Sequence, residues 1–226
     1  MWLLRLSNAL LPCFTAIINV ILYLIRHGEA QLNALGILHS RNYDDNPLTD
    51  KGRLEAAAAA LLLRRMGVHG PVFTSPLLRA RQTASCIDRN YRVDDRLREI
   101  DMGEWELRKI SEVPFDNYRK DPVRYHPPGG ESMESVVSRV MDFLNFVRNI
   151  NEKSVIAVSH WHPIATIAAL ITGLPLSNIY RLRIGTGSIT AVDLSNDDVV
   201  FLNLSPLRVL RSLGFSDEEI ISGCSE

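Results

Sequence analysis

The chain has 226 residues, 46% of them apolar and 23% charged, which suits one domain with a sizeable core and little more. A formal net charge of −1 gives no overall basic field, so nucleic acid is not an expected partner, and an anionic ligand must be held by a local group of cations. The three cysteines, Cys13, Cys86 and Cys224, are far apart and odd in number, which argues against a disulfide framework and for reduced intracellular thiols.

The first 25 residues are strongly apolar. A signal peptide with Arg5 in its charged region, a membrane anchor and a short extension all compete for this segment. A spanning helix wants roughly 20 uninterrupted apolar residues, and Pro12 and Asn19 interrupt this one. The stretch from Val20 to Ile25 is β-branched and aromatic and runs straight into a charged motif, so it reads as a buried strand. We therefore expect an apolar N-terminal extension over 1–19 and one domain over 20–226. The extension leaves a membrane association open.

Further along, Thr49 is placed to cap a helix that runs through the alanine-rich stretch and ends at Gly67. Val72 to Thr74 reads as a strand, followed by a helix with Ser75 as cap and Pro76 at its first position. Pro127-Pro128-Gly129-Gly130 marks a loop. After it, Met133, Val136, Val137, Val140, Phe143, Leu144 and Val147 repeat at helical spacing from a start near Ser132. Ser154 to Ser159 is a third strand, followed by His160-Trp161-His162 and a helix opened by Pro163. Ile189 to Leu194 and Val199 to Leu204 read as a hairpin turning at Asn196-Asp197-Asp198. A final helix is expected after Pro206.

Strands alternating with helices imply an α/β fold with a parallel or mostly parallel sheet. In such sheets ligands sit beyond the carboxyl ends of the strands. Arg26, His27, Arg79 and His160 all follow strands, so they are expected to converge on one edge. That set has the parts phosphoryl transfer needs: an imidazole nucleophile, guanidinium groups for the phosphate oxygens and a second imidazole beside them. Helix N-termini behind Arg79 and after His160 would add N–H donors. No carboxylate cluster reads as a magnesium site, so neither metal nor cofactor is expected.

Six blocks then fall in order: Arg26-His27-Gly28-Glu29 with Asn33 four residues on; Asn46 to Gly52 (NPLTDKG); Ser75 to Ala84 (SPLLRARQTA); Leu97 to Glu106 (LREIDMGEWE); Gly129 to Ser132 (GGES); and Val158-Ser159-His160. Together they resemble the signature of the histidine phosphatase, or phosphoglycerate-mutase-like, superfamily. Their wording is similar to that of broad-specificity and alpha-ribazole phosphatases. The resemblance spans about 20 to 204. It implies a three-layer α/β/α sandwich with a mostly parallel central sheet and a phosphohistidine intermediate on His27. It also implies a phosphate pocket of Arg26, Arg79 and His160, a hydrogen bond from Asn33, and Glu99 as the proton donor to the leaving group.

The pattern departs from the family at Trp161, where glycine usually follows the second histidine. Its backbone N–H still suits phosphate, and its indole is expected to line the pocket. His162 reads first as a local structural group. Arg81 is set aside as facing away from Arg79's side of the helix, and His39, His69 and His126 are given no catalytic part. Glu99 is expected to have a raised pKa from burial, as a proton donor requires. The reading is a metal-independent phosphatase acting on a small phosphorylated metabolite in the cytoplasm. A cofactor-dependent phosphoglycerate mutase is the alternative, followed by a phosphoprotein phosphatase or an inactive binding protein. A homodimer is left open.

Overall fold

In the computed structural model, residues 19–41 and 44–224 are described. The apolar extension, apart from Asn19, and Cys13 with it, lies outside the described residues.

The elements in chain order are β1 (Ile21–Arg26), α1 (Gln31–Ala34), α2 (Asp50–Arg65), β2 (Val72–Thr74), α3 (Leu78–Ile87), β3 (Arg92–Val93), α4 (Phe115–Lys120), α5 (Met133–Arg148), β4 (Ser154–Ser159), α6 (Trp161–Thr172), β5 (Ile189–Asp193), β6 (Asp198–Leu204), α7 (Pro206–Ser212) and α8 (Asp217–Ser222). One six-stranded sheet runs in the order β3-β2-β4-β1-β5-β6. β3, β2, β4 and β1 are parallel, and β5 and β6 add an antiparallel hairpin at one side. β1 and β4 pair in full register, Ile21 with Ser154 through Arg26 with Ser159. That register sets the last residues of both strands, and so His27 and His160, side by side.

Both faces of the sheet are covered, which is why its central strands are apolar throughout. Leu22 and Leu24 of β1 face α5 and α6, joining Val140, Phe143, Val147, Ile164 and Ile167 in the larger core. Ile25 points the other way, into a second core with Ala59, Leu63, Ala80 and Ala84 of α2 and α3. Each buried leucine or isoleucine contributes about 1.5–3 kcal/mol on transfer arguments. The alternation along one strand therefore fixes both helical layers. The three-layer α/β/α sandwich expected from the resemblance is the observed architecture.

Local signals explain the helix ends. Thr49 accepts from the Gly52 N–H at 3.0 Å and caps α2, and Gly67 follows the helix at φ +69°, where a side chain would be strained. Ser132 caps α5 through Ser135 N–H at 3.3 Å. Gly28 and Gly52 face each other so closely that a Cβ on Gly28 would overlap the Gly52 carbonyl, and one on Gly52 the Glu29 carbonyl. The glycine of the first motif thus packs backbone on backbone against the start of α2.

Three expectations are corrected. The helix after β2 starts at Leu78, with Leu77 in the cap position and no side-chain cap. Ser75 is buried, and its hydroxyl is taken by the Leu77 N–H and by His160. The cysteines are not both free: Cys86, in α3, is disulfide-bonded to Cys224, just past α8. Their 138-residue separation in sequence does not measure distance. The tail forms two helices rather than one, and these pack on α2 through Ala57, Ala58, Leu210 and Ile220. That packing delivers Cys224 beside α3, and Arg64 of α2 holds the Gly223 carbonyl at 2.6 Å.

Candidate active site

The cavity at the carboxyl ends of the parallel strands has a volume of about 1620 Å³ and is lined by Arg26, His27, Asn33, Arg79, Glu99 and Trp161 among others. His160 lies directly behind it, stacked at an angle on His27 with ring centroids 4.9 Å apart.

Arg79 organises the floor. It is 1% exposed, yet all three of its guanidinium nitrogens are hydrogen-bonded. Nε donates to His27 Nε2 (3.1 Å), Nη1 meets His39 Nδ1 (3.1 Å), and Nη2 reaches the His39 carbonyl (3.0 Å) and His160 Nδ1 (3.2 Å). Arginine can only donate, so these contacts assign the tautomers. His27 carries its proton on Nδ1, which donates to the Gly28 carbonyl at 2.7 Å, leaving the Nε2 lone pair toward Arg79. His160 carries its proton on Nε2, which donates to Ser75 Oγ at 2.7 Å.

Burial, then the charges of Arg79 and Arg26, hold the His27 imidazole well below its ordinary pKa. His160 is lowered by burial, Arg79, His27 and Arg26. Both rings are therefore neutral at pH 7, as a nucleophile requires. Arg79 itself is pushed down to about 10, mainly by burial, and stays charged. Arg26 donates from Nη1 to the Ile184 carbonyl at 2.6 Å, while its Nε is buried with no partner among the described residues.

Glu99 stands on the segment after Leu97, held from behind by Glu131 of the GGES block. Glu131 accepts from Arg98 (3.0 Å), Arg139 (2.9 Å) and the Asp101 N–H (3.3 Å). Three N–H groups converge on Glu99 Oε1: the Ile100 backbone at 2.9 Å, the His162 backbone at 3.3 Å and His162 Nδ1 at 3.0 Å. Its Oε2 takes no hydrogen bond among the described residues.

The expected rise in the Glu99 pKa is corrected. Burial does push the carboxyl up, but His162, the Ile100 N–H and Arg79 outweigh it and hold the group at about 2. At neutral pH Glu99 is therefore a carboxylate. An incoming phosphate dianion adds negative charge beside it and raises its affinity for a proton.

His162 is thus not simply structural. Its Nε2 lies 2.9 Å from both the Tyr118 and Tyr180 hydroxyls, so Glu99, His162 and two tyrosines form one buried network. Burial raises the pKa of both phenols, which keeps them protonated. Trp161 stacks on Tyr180 with ring centroids 4.3 Å apart and planes at 18°. The indole expected to line the pocket does so, with Tyr180 as its support.

The remaining residues sort as follows. Asn33 lines the cavity, but its Oδ1 accepts from the Ala30 N–H at 3.3 Å, and no hydrogen bond joins it to His27 or Arg79. Arg81 pairs with Asp44, off the cavity lining. His39, given no part from sequence, backs Arg79. Glu106 explains why it sits there, accepting from the Ser40 N–H and hydroxyl and the Arg41 N–H, all within 3.0 Å. His39, Ser75, Tyr118 and Tyr180 were missed because none belongs to the catalytic wording of its motif. Asp101, the next carboxylate after Glu99, is paired with Arg41 at 2.9 Å. Among the described residues no three His, Cys, Asp or Glu side chains group as a metal site.

A family model described as the histidine phosphatase superfamily, branch 1, matches residues 22–205. The chain belongs to that superfamily. It is 34% identical over 182 residues to a probable phosphoglycerate mutase of Cronobacter sakazakii, covering 76% of this chain and 83% of that one. It is similar to a mycobacterial glucosyl-3-phosphoglycerate phosphatase solved with VO3, at 28% identity and TM-score 0.72 over 82% of this chain and 99% of that one. A phosphoserine phosphatase mutant of Entamoeba histolytica, solved with phosphoserine, matches at 25% identity and TM-score 0.72 over 83% and 98% of the two chains. The chain is accordingly an enzyme of the phosphatase and mutase kind. No helix among the described residues is long and apolar enough to cross a membrane.

Proposed function

We propose that the protein hydrolyses small phosphate monoesters without a metal ion, through a phosphohistidine on His27. The observation that carries the reading is the single buried guanidinium of Arg79, hydrogen-bonded to ring nitrogens of His27 and His160. A phosphoryl group entering there takes over the Arg79 Nε–H, now donated to His27 Nε2, which frees the lone pair of a neutral nucleophile for attack beside the Arg26 and Arg79 cations.

In the first step, the His27 Nε2 lone pair attacks phosphorus and the bond to the ester oxygen breaks. Arg26, Arg79 and His160 hold the equatorial oxygens, and the Trp161 N–H at the start of α6 adds a donor. Glu99, having taken a proton as the phosphate binds, passes it from Oε2 to the leaving oxygen. In the second step, Glu99 takes a proton from water, which attacks the phosphohistidine and frees His27. His162 acts through Glu99, pinning Oε1 so that Oε2 faces the substrate. A cytoplasmic location, where phosphorylated metabolites are made, goes with this reading; the Cys86–Cys224 bond is one that such a compartment would tend to reduce.

The relative named as a phosphoglycerate mutase favours a second reading, transfer to an acceptor hydroxyl instead of water. One assay separates them. With chelator present, phosphate release from a panel of monoesters is followed beside the interconversion of 2- and 3-phosphoglycerate. Steady phosphate release with little interconversion is expected. Interconversion that outruns release, or activity that chelation abolishes and magnesium restores, would overturn the proposal.

A further inference from the structure

A carboxyl that hands a proton to a leaving oxygen must keep one oxygen turned to the substrate. Of the three N–H groups on Glu99 Oε1, two are backbone groups, from Ile100 and His162, and the fold fixes them. The third, His162 Nδ1 at 3.0 Å, sits on a side chain that can turn. Facing a carboxylate, Nδ1 must carry a hydrogen. A half turn of the ring about Cβ–Cγ would bring a carbon to Oε1 instead. The residue is 4% exposed, so water does not choose between the two orientations. Its neighbours do.

Two phenols meet the far end of the ring. The Tyr118 and Tyr180 hydroxyls both lie 2.9 Å from His162 Nε2. A hydroxyl donates and accepts, so this pair satisfies Nε2 whether or not it carries a hydrogen. A turned ring would set Cε1 against both oxygens and lose the two contacts, which buried polar groups resist. Neither phenol is free to follow the ring. Tyr118 is fully buried and packed edge-on to Trp105 at 6.0 Å between ring centroids, with Phe115 at 5.5 Å. Tyr180 is stacked on Trp161 and edge-on to Phe115. Among the described residues, no backbone group and no side chain outside this cluster hydrogen-bonds to either hydroxyl. Phenylalanine would fill the same space, so what the two hydroxyls add is the hold on His162.

The two phenols also come from different segments. Tyr118 is on α4 and Tyr180 on the 3-10 turn Leu176–Arg181. The stretches around them, 109–119 and 180–185, line the mouth of the cavity. The ring behind the acid is therefore held by the mouth, not by the sheet.

Resting on the phosphatase reading, we propose that Tyr118 and Tyr180 are positioning residues for the acid: together they fix the His162 ring through Nε2, so that its Nδ1–H stays on Glu99 Oε1 and Oε2 stays turned to the leaving oxygen. Neither hydroxyl touches the substrate, and both act through His162.

Tyr118→Phe and Tyr180→Phe keep the rings and remove the hydroxyls. The ratio of kcat/KM for p-nitrophenyl phosphate to that for hexyl phosphate reads the acid. Each single variant should raise this ratio by less than about threefold, since the other hydroxyl still holds Nε2. The double variant should raise it by about tenfold, more than the product of the two singles, because they share one acceptor. In a Glu99→Gln protein the same two changes should leave the ratio where it was. In nitrogen-15 NMR spectra of the free protein, the His162 Nδ1 hydrogen should be protected from exchange and lose that protection in the double variant. Equal losses on both esters, or a ratio that still moves in the Glu99→Gln protein, would make the hydroxyls purely structural and overturn the proposal while the phosphatase stands. An Nδ1 hydrogen equally protected in the double variant would overturn it as well. A wild type that hydrolyses neither ester, with an Nδ1 hydrogen that still responds to the double variant, would break the phosphatase reading and leave the hold on His162 standing.

Discussion

At the floor of the cavity Arg79 is 1% exposed and each polar end of its guanidinium is taken by His27, His39 or His160. At the mouth Arg181 and Arg183 are exposed and make no ion pair among the described residues. The floor is built on strand ends and helix starts that two cores lock in place. The mouth is built on α4, a 3-10 turn over Leu176–Arg181 and the loop leading to β5. Preorganised dipoles in a dry setting suit the chemical step. Adaptable charges on exposed segments suit the choice of substrate. The difference teaches that one cavity joins a packed, hydrogen-bonded floor to an exposed mouth.

The largest expected effect falls at the floor. His27→Asn removes the attacking nitrogen, and kcat/KM for p-nitrophenyl phosphate should drop by about 10⁴-fold or more, on the scale of losing a catalytic unit. Lys109→Gln at the mouth should change the same number by less than about tenfold, the scale of an exposed charge. Comparable losses in both variants would erase the division between floor and mouth.

A smaller effect sharpens it. Glu99→Gln should lower kcat/KM for alkyl phosphates by about 10²-fold or more, the usual span of general acid catalysis. The loss on p-nitrophenyl phosphate should be much less, since that leaving oxygen needs little protonation. His162→Phe removes the Nδ1 donor to Glu99 Oε1 and should show the same leaving-group dependence at about a tenth of the size. Asp101→Asn should leave the ratio of the two ester types unchanged. If the ratio moves in Asp101→Asn and holds in Glu99→Gln, the acid has been misassigned. An unaltered ratio in His162→Phe would return that residue to a purely structural part.

A last effect is on stability, not on turnover. His27 and His160 are held well below the ordinary value of 6.5, first by burial. The unfolded chain takes up protons near pH 6.5 and the native floor does not, so the unfolded state binds more protons below that point. Stability should be full above about pH 7 and fall as the pH drops, by up to about 1.4 kcal/mol per pH unit for each histidine. Glu99, held at about 2, adds a loss of the same sign only below its ordinary value of 4.5. Urea unfolding at pH 5 and 7.5 measures the difference. The mouth carries guanidinium and ammonium groups that do not titrate there, so Arg181→Gln should leave the slope intact. A flat profile would mean the floor histidines are not neutral.

Much of this was written in local sequence. The strand of Val20 to Ile25, the Thr49 and Ser132 caps, the hairpin turn at Asp197 and the ordered motif blocks are short-range signals: alternation, capping and φ preference act within a few residues. Strand-then-helix order alone places Arg26, His27, Arg79 and His160 at one sheet edge. Tertiary structure decided what depends on pairs distant in sequence. Cys86 meets Cys224 because α7 and α8 fold back on α2. The Glu99 carboxyl is held down rather than raised because His162, from the start of α6, arrives at its Oε1 across 63 residues. His39 and Tyr180 become parts of the site only when Glu106 and Trp161 position them. No periodicity in the chain encodes such contacts, since their energies arise from burial and charge between segments that only the packed sheet brings together.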